Sequence, residues 1–218
     1  MLYWIVKGLC VPVFRLLFGL RVRGVEHVSR TGPLLLVANH VSFLDPAVVG
    51  TACPRPMHSM AKAELFGIPL LGWVLRKIKA FPVRRDEADR AAFRQALDLL
   101  AEGKVVLVFP EGTRGAEGRL LPGKAGAGML ALRSGAPAVP VYLSGTGTAL
   151  GRGRRWPRLA RLTVTFGPPL TFAGEDRGRA GYEAAVRRMM EAIARLQEGV
   201  TGQPARRDFP PAAIRRPA

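Results

Sequence analysis

The stretch Asp86–Arg114, DEADRAAFRQALDLLAEGKVVLVFPEGTR, decides the architecture. Its first part reads as a helix over Asp86–Glu102. Phe93, Ala96, Leu97 and Leu100 recur at i, i+3, i+4, i+7, acids crowd the first turn where the helix dipole favours them, and Gly103 supplies the stop. The next part, Val105–Phe109, is a short continuous apolar run, the pattern of a strand buried on both faces. A turn with a carboxylate, a glycine, a hydroxyl and a guanidinium follows in Pro110–Arg114. Helix, strand and polar turn in that order make one βα repeat of an α/β protein.

Working outward, further strands are expected at Leu34–Ala38, Met57–Ala61, Ala138–Leu143 and Leu162–Phe166. A second amphipathic helix is expected over Ala180–Glu198, with Tyr182, Val186, Met189, Ile193 and Leu196 on one stripe, and Met189 and Met190 reading as core. The expected fold class is α/β, a central mostly parallel or mixed sheet flanked by helices, with an N-terminal membrane-interfacial helical segment. The organisation follows as an interfacial helical segment over 1–20, one catalytic domain over 21–199 and a basic, Pro-rich, disordered tail over 200–218. There is no internal repeat.

Met1–Leu20 is apolar apart from Lys7 and Arg15, and its longest uncharged inner run, Gly8–Phe14, is far short of the roughly 18–20 residues of a membrane span. A segment lying in the interface is expected, with Lys7 and Arg15 reaching headgroups and Leu2, Trp4, Ile5, Leu9, Phe14, Leu17 and Phe18 entering the acyl boundary. A helix packed on its own domain is the competing reading. The chain carries 33 Lys+Arg against 16 Asp+Glu, a net charge of +17, which favours an anionic partner. Two cysteines, Cys10 and Cys53, and three histidines, His27, His40 and His58, give neither a disulfide framework nor a metal spacing. The glycine-rich stretch Gly145–Gly151 lacks the dinucleotide-binding spacing and is expected to be a loop. The basic run after it, with Trp156, suits a membrane-facing loop as well as a nucleic-acid contact.

The chemistry is expected at strand ends. After Leu34–Ala38 comes Asn39-His40-Val41-Ser42-Phe43-Leu44-Asp45, where an imidazole can take a proton and a carboxylate about one helical turn on can hold its other nitrogen. A loop-capping histidine is the competing reading. After Val105–Phe109 comes the turn ending in Arg114, a residue suited to bidentate phosphate binding. No G-x-S-x-G is present, so a serine-hydrolase reading lacks its nucleophile.

With these two motifs the sequence resembles the glycerolipid acyltransferases, specifically the 1-acyl-sn-glycerol-3-phosphate (lysophosphatidic acid) acyltransferases. Four blocks occur in order over roughly Arg21–Pro169: NHVSFLD (39–45), a second running from Ala61-Lys62-Ala63-Glu64-Leu65 to Val83-Arg84-Arg85, FPEGTR (109–114), and Val139-Pro140-Val141. Three positions depart from the family pattern: Lys79 where glycine is usual, Arg84 where an acidic residue is usual and, more mildly, Gly115 where serine is frequent. The phosphate-binding arginine of the second block is therefore Arg85 or Arg84. The resemblance implies that His40 is the general base and Asp45 its orienting partner. It further implies that Arg114 and Arg85 hold the acceptor phosphate, that Glu111, Gly112 and Thr113 shape its pocket, and that Lys62 faces the thioester oxyanion or a donor phosphate. It implies no metal and no cofactor beyond acyl-CoA or acyl-carrier protein as co-substrate. The implied partners are lysophosphatidic acid and anionic membrane lipids, with no nucleic acid, and the implied place is the cytoplasmic face of the cell membrane, monotopic or peripheral. Another lysolipid or glycerol 3-phosphate as acceptor, or a basic non-catalytic membrane-binding protein, are the alternatives.

Overall fold

The structure is a computed structural model that describes residues 2–84, 89–154 and 156–210. Seven strands form the central sheet: β1 (Arg21–Arg23), β2 (Leu34–Ala38), β3 (Met57–Lys62), β4 (Ala80–Val83), β5 (Val105–Val108), β7 (Ala138–Ser144) and β8 (Thr163–Phe166). A separate two-stranded parallel pair joins β6 (Arg119–Leu120) to β9 (Arg206–Arg207). The order in the large sheet is β1-β8-β7-β2-β5-β3-β4. All pairs are parallel except β7 with β8.

Alternation along the central strands divides the core. Leu34, Leu36 and Ala38 of β2 face one layer, which holds α1 (Leu2–Phe18) and α2 (Asp45–Ala52) through Phe14, Val48 and Val49. Leu35 and Val37 face the other, which holds α4 (Arg90–Ala101), α5 (Ala125–Ser134) and α7 (Arg179–Thr201) through Ala96, Leu100, Leu130 and Met189. Both faces are covered, which is why these strands read as unbroken apolar runs. The shorter helices α3 (Pro69–Lys77) and α6 (Thr146–Leu150) lie between strands.

The expected elements are present with shifts of a few residues at their ends. Phe109 has left the strand, and α4 begins at Arg90 with Asp89 as its cap, the Asp89 side chain accepting from the Ala92 N–H at 2.9 Å. The expected helix start at Asp86 lies outside the described residues.

Three expectations are corrected. Gly145–Gly151 is not wholly a loop, because Thr146–Leu150 forms a helical turn entered through Gly145 at φ 86°. A Cβ at Gly145 would lie 2.0 Å from the Arg161 carbonyl oxygen, so only glycine fits. The segment after 200 is not disordered throughout. Helix α7 runs to Thr201, Arg206–Arg207 pairs with β6, and Asp208 chelates Arg119 Nε with both carboxylate oxygens at 2.9 Å. The N-terminal helix, finally, is partly packed on its own domain. Phe14 is buried in the core, and Lys7 turns inward to donate to the Cys53 carbonyl instead of reaching outward. Trp4, Ile5, Leu9, Val13, Leu16 and Leu17 remain exposed. Among the described residues no helix is long and apolar enough to cross a membrane.

Candidate active site

The chain leaves β2 for α2 on one face of the sheet and leaves β5 for α5 on the other, so the carboxyl ends of β7, β2 and β5 open a crevice where the topology switches. Three loops meet there: 39–45 after β2, 109–124 after β5 and 145–151 after β7.

His40 and Asp45 are brought together. His40 Nδ1 lies 2.8 Å from Asp45 Oδ2, and because a carboxylate only accepts, Nδ1 carries the proton and donates it. The same oxygen accepts from the backbone N–H groups of Val41 at 2.7 Å and Ser42 at 2.8 Å. Asp45 opens α2, where the helix dipole favours a negative charge, and is 0% exposed. The turn therefore folds around this carboxylate. With Nδ1 committed, Nε2 is the nitrogen left to exchange a proton with a bound molecule. The imidazole lies flat on the Phe109 ring, centroids 4.0 Å apart and planes 16° apart, which fixes its plane.

Asn39 clips β2 to β7. Its amide nitrogen donates to the Leu143 carbonyl at 3.0 Å and its oxygen accepts from the Leu143 N–H at 2.7 Å. Glu111 sits inside the turn and lines neither cavity described below. Its Oε1 accepts from the His40 N–H at 3.0 Å and its Oε2 from the Leu121 N–H at 3.3 Å, while Gly115 N–H donates to the His40 carbonyl at 2.8 Å. Burial pushes the Glu111 carboxyl up to about 7, with the nearby Asp45 charge adding to the rise and the two N–H donors opposing it. Its place is that of a strut joining the two motifs. The carboxylate expected to shape the acceptor pocket instead shapes the backbone around the base.

Two cavities flank this strut. One, of about 470 Å³, is lined by His40, Phe109, Phe93, Met60, Leu107 and Leu130, with Arg84, Lys124 and Gly112 among its other walls. Apart from those cations, Asp89 and the imidazole, it is apolar. The second, of about 640 Å³, is lined by Val41, Thr113, Arg114, Arg119, Arg152 and Arg154, with Glu117 and Asp208 as its acids. Arg114 stacks on Phe43 at 3.6 Å from the ring centroid. Gly112 has φ 68°, and its missing Cβ makes room for the Lys124 side chain.

Gly112 thus reaches the His40 cavity, whereas Thr113 and Arg114 reach its neighbour. Lys62 ends β3 on the same face as Met60, outside both cavity walls, with its Nζ 2.8 Å from Glu64. Arg85 lies outside the described residues, and Arg84, the alternative, opens into the His40 cavity. The sequence reading missed Lys124, Arg119, Arg152 and Arg154 as cavity residues, because Lys and Arg are abundant in this chain and only the tertiary fold separates lining cations from solvated ones.

Fold and site together define the class: an α/β protein with a buried His–Asp pair at a switch point between an apolar and a cationic cavity. The family model described as Acyltransferase matches residues 19–144, more than half of the chain. The chain belongs to this acyltransferase family, which bears out the resemblance read from the four blocks. It is 30% identical over 187 residues to the 1-acyl-sn-glycerol-3-phosphate acyltransferase of Bacillus subtilis (strain 168), covering 83% of this chain and 91% of that one. To the enzyme of that name from Limnanthes douglasii it is 33% identical over 171 residues, 76% of this chain and 59% of the relative. To the chloroplastic enzyme BAT2 of Brassica napus it is 33% identical over 135 residues, 61% and 39%. The chain therefore spans between about two fifths and three fifths of these plant relatives. The crystal structure of the 1-acyl-sn-glycerophosphate (LPA) acyltransferase PlsC from Thermotoga maritima superposes with a TM-score of 0.71 at 29% identity, covering 87% of this chain and 78% of that one.

Proposed function

We propose that the chain transfers a fatty acyl group from a thioester donor, acyl-CoA or acyl-carrier protein, to the sn-2 hydroxyl of 1-acyl-sn-glycerol 3-phosphate, giving phosphatidic acid. The observation that carries this reading is the buried His40–Asp45 pair opening into an apolar cavity, beside a cationic one that holds Arg114. The names of the relatives support the acceptor.

His40 Nε2 accepts the hydroxyl proton as that oxygen attacks the thioester carbonyl. Asp45 holds Nδ1–H and stabilises the imidazolium as it forms. The tetrahedral intermediate collapses by breaking the C–S bond, and the imidazolium returns the proton to the leaving thiolate. Ester and thiol are the products, with no acyl-enzyme, no metal and no cofactor beyond the co-substrate. Arg114 and an arginine of the second block, Arg85 or Arg84, hold the acceptor phosphate. Gly112 and Thr113 let the backbone approach the acceptor. The exposed apolar side of α1 lies in the surface of an anionic membrane as a monotopic or peripheral contact on its cytoplasmic face, which brings the site to substrates that carry acyl chains.

The test is single-turnover transfer from labelled oleoyl-CoA, and from the acyl-carrier protein donor, to lysophosphatidic acid in vesicles, with glycerol 3-phosphate as control acceptor. Phosphatidic acid is expected with the wild-type chain, and its formation is expected to fall by about 10³-fold or more in His40→Ala. Transfer to no acceptor from either donor overturns the reading.

A further inference from the structure

The turn after α6 carries two arginines that none of the four sequence blocks contains. Arg152 and Arg154 line the same cavity as Arg114, and both are exposed. Among the described residues neither pairs with a carboxylate. The two acids of the cavity are engaged elsewhere. Asp208 chelates Arg119, and Glu117 accepts from the N–H groups of Gly145 at 2.9 Å, Gly147 at 2.7 Å and Thr148 at 3.3 Å. The cavity is thus left with an excess of cationic hydrogen-bond donors, the composition that recognises phosphate.

This turn is built onto the turn that carries His40. Ser42 forms an antiparallel bridge with Gly151, and its Oγ donates to the Leu150 carbonyl at 2.6 Å. The Arg154 N–H in turn donates to the Gly151 carbonyl at 3.2 Å. Arg152 and Arg154 are therefore held in register with the base, not carried on an independent loop. The segment then runs through exposed Trp156 and Leu159 to Leu162. There the Leu162 N–H donates to the Phe18 carbonyl at 3.0 Å, beside the exposed Leu16 and Leu17 of α1. The segment that carries Arg152 and Arg154 is thereby tied to the end of α1, where Leu16 and Leu17 are exposed.

We propose that Arg152 and Arg154 form, with Arg114, the subsite that binds the acceptor's phosphate and restricts the enzyme to phosphate-bearing acceptors. This rests on the acyl-transfer reading above. Phosphate could also come from an acyl-CoA donor or from the bulk headgroups of the membrane, and the experiment separates these sources.

Steady-state transfer is measured for wild type, Arg152→Ala/Arg154→Ala and Arg152→Lys/Arg154→Lys, varying lysophosphatidic acid and oleoyl-CoA separately. Cosedimentation with phosphatidylglycerol-containing vesicles is measured alongside, and thermal melts confirm that the variants fold. For the alanine pair the KM for lysophosphatidic acid is expected to rise about tenfold or more, as the loss of charge-assisted hydrogen bonds implies. The KM for oleoyl-CoA, kcat and vesicle binding should stay within about twofold, and the lysine pair should recover part of the loss. Glycerol 3-phosphate should inhibit wild type competitively against lysophosphatidic acid and lose that effect in the alanine pair. A rise in the oleoyl-CoA KM alone assigns the cations to the donor, parallel loss of vesicle binding assigns them to bulk lipid, and unchanged parameters leave them without a role. Each of these three results overturns the proposal while wild-type turnover leaves the acyl-transfer reading intact. Failure of wild type to acylate lysophosphatidic acid with either donor would instead remove that reading.

Discussion

Lys79 closes the turn between α3 and β4 at φ 67°, and among the described residues it is the one non-glycine side chain in the left-handed region. A Cβ there crowds the backbone by about 1 kcal/mol or more, and this is a position where the resemblance expects glycine. Lys79→Gly relieves the strain but adds freedom to the unfolded chain, leaving a net gain of about 0.5–1 kcal/mol. A thermal melt is expected to rise by about 1–4 °C, and Lys79→Ala to give no rise. Glu111 makes a prediction of opposite kind. Its folded pKa of about 7 lies above the ordinary value of 4.5, so between those values the folded chain binds more protons than the unfolded one. The stability it contributes is therefore present at low pH and lost as pH rises through about 7. Glu111→Gln is expected to flatten that slope in urea titrations between roughly pH 5 and 7.5. It should also lower kcat, because an amide cannot accept from both the His40 and Leu121 N–H groups. An unchanged slope would place the titration on another group. For Asp45, whose Oδ2 accepts three N–H donors, Asp45→Asn is expected to cut kcat by about 10³–10⁴-fold with little change in KM, read from initial rates.

At the scale of elements, α1 has two sides with separate consequences. Phe14→Ala empties a core position and is expected to cost about 3–5 kcal/mol in chemical denaturation. Leu16→Ser, on a side chain 82% exposed, should leave stability within about 0.5 kcal/mol yet weaken binding to anionic vesicles; equal binding would deny this face a membrane role. The sequence of α1 showed its apolar character but not which residues turn inward, because Pro12 and a nearly all-apolar composition leave no clean stripe to read. The central strands were legible for the converse reason. Leu34–Ala38 and Val105–Val108 are short, wholly apolar and bounded by turn residues, so length and flanks settled what periodicity could not. His40, Asp45 and Arg114 were legible because they stand directly after such strands. Arg152 and Arg154 were not, since their place beside Arg114 depends on the Ser42–Gly151 bridge, a contact across more than a hundred residues.

At the scale of the whole molecule, the C-terminal segment closes over the loop that holds the FPEGTR turn. Strand β9 pairs with β6, the Asp208 N–H donates to the Leu120 carbonyl at 2.9 Å, and Gln197 Nε2 donates to the Gly118 carbonyl at 2.6 Å. The Arg119–Asp208 pair is well exposed, so Asp208→Ala should change global stability little. It should instead increase protease nicking of the 115–121 loop, and an unaltered digest would show that the strand pairing alone holds the loop. The switch-point crevice has a further consequence, for the order in which the chain matures. Its three loops come from residues 39–45, 109–124 and 145–151, and they are joined by the Asn39–Leu143, His40–Glu111 and Ser42–Gly151 links. None of these can form until β7, β2 and β5 have paired, and parallel pairings between distant segments are slow to assemble. In a refolding time course helical signal should therefore return first, and acyl transfer should reappear together with amide protection of the central strands, making turnover a clock for sheet assembly.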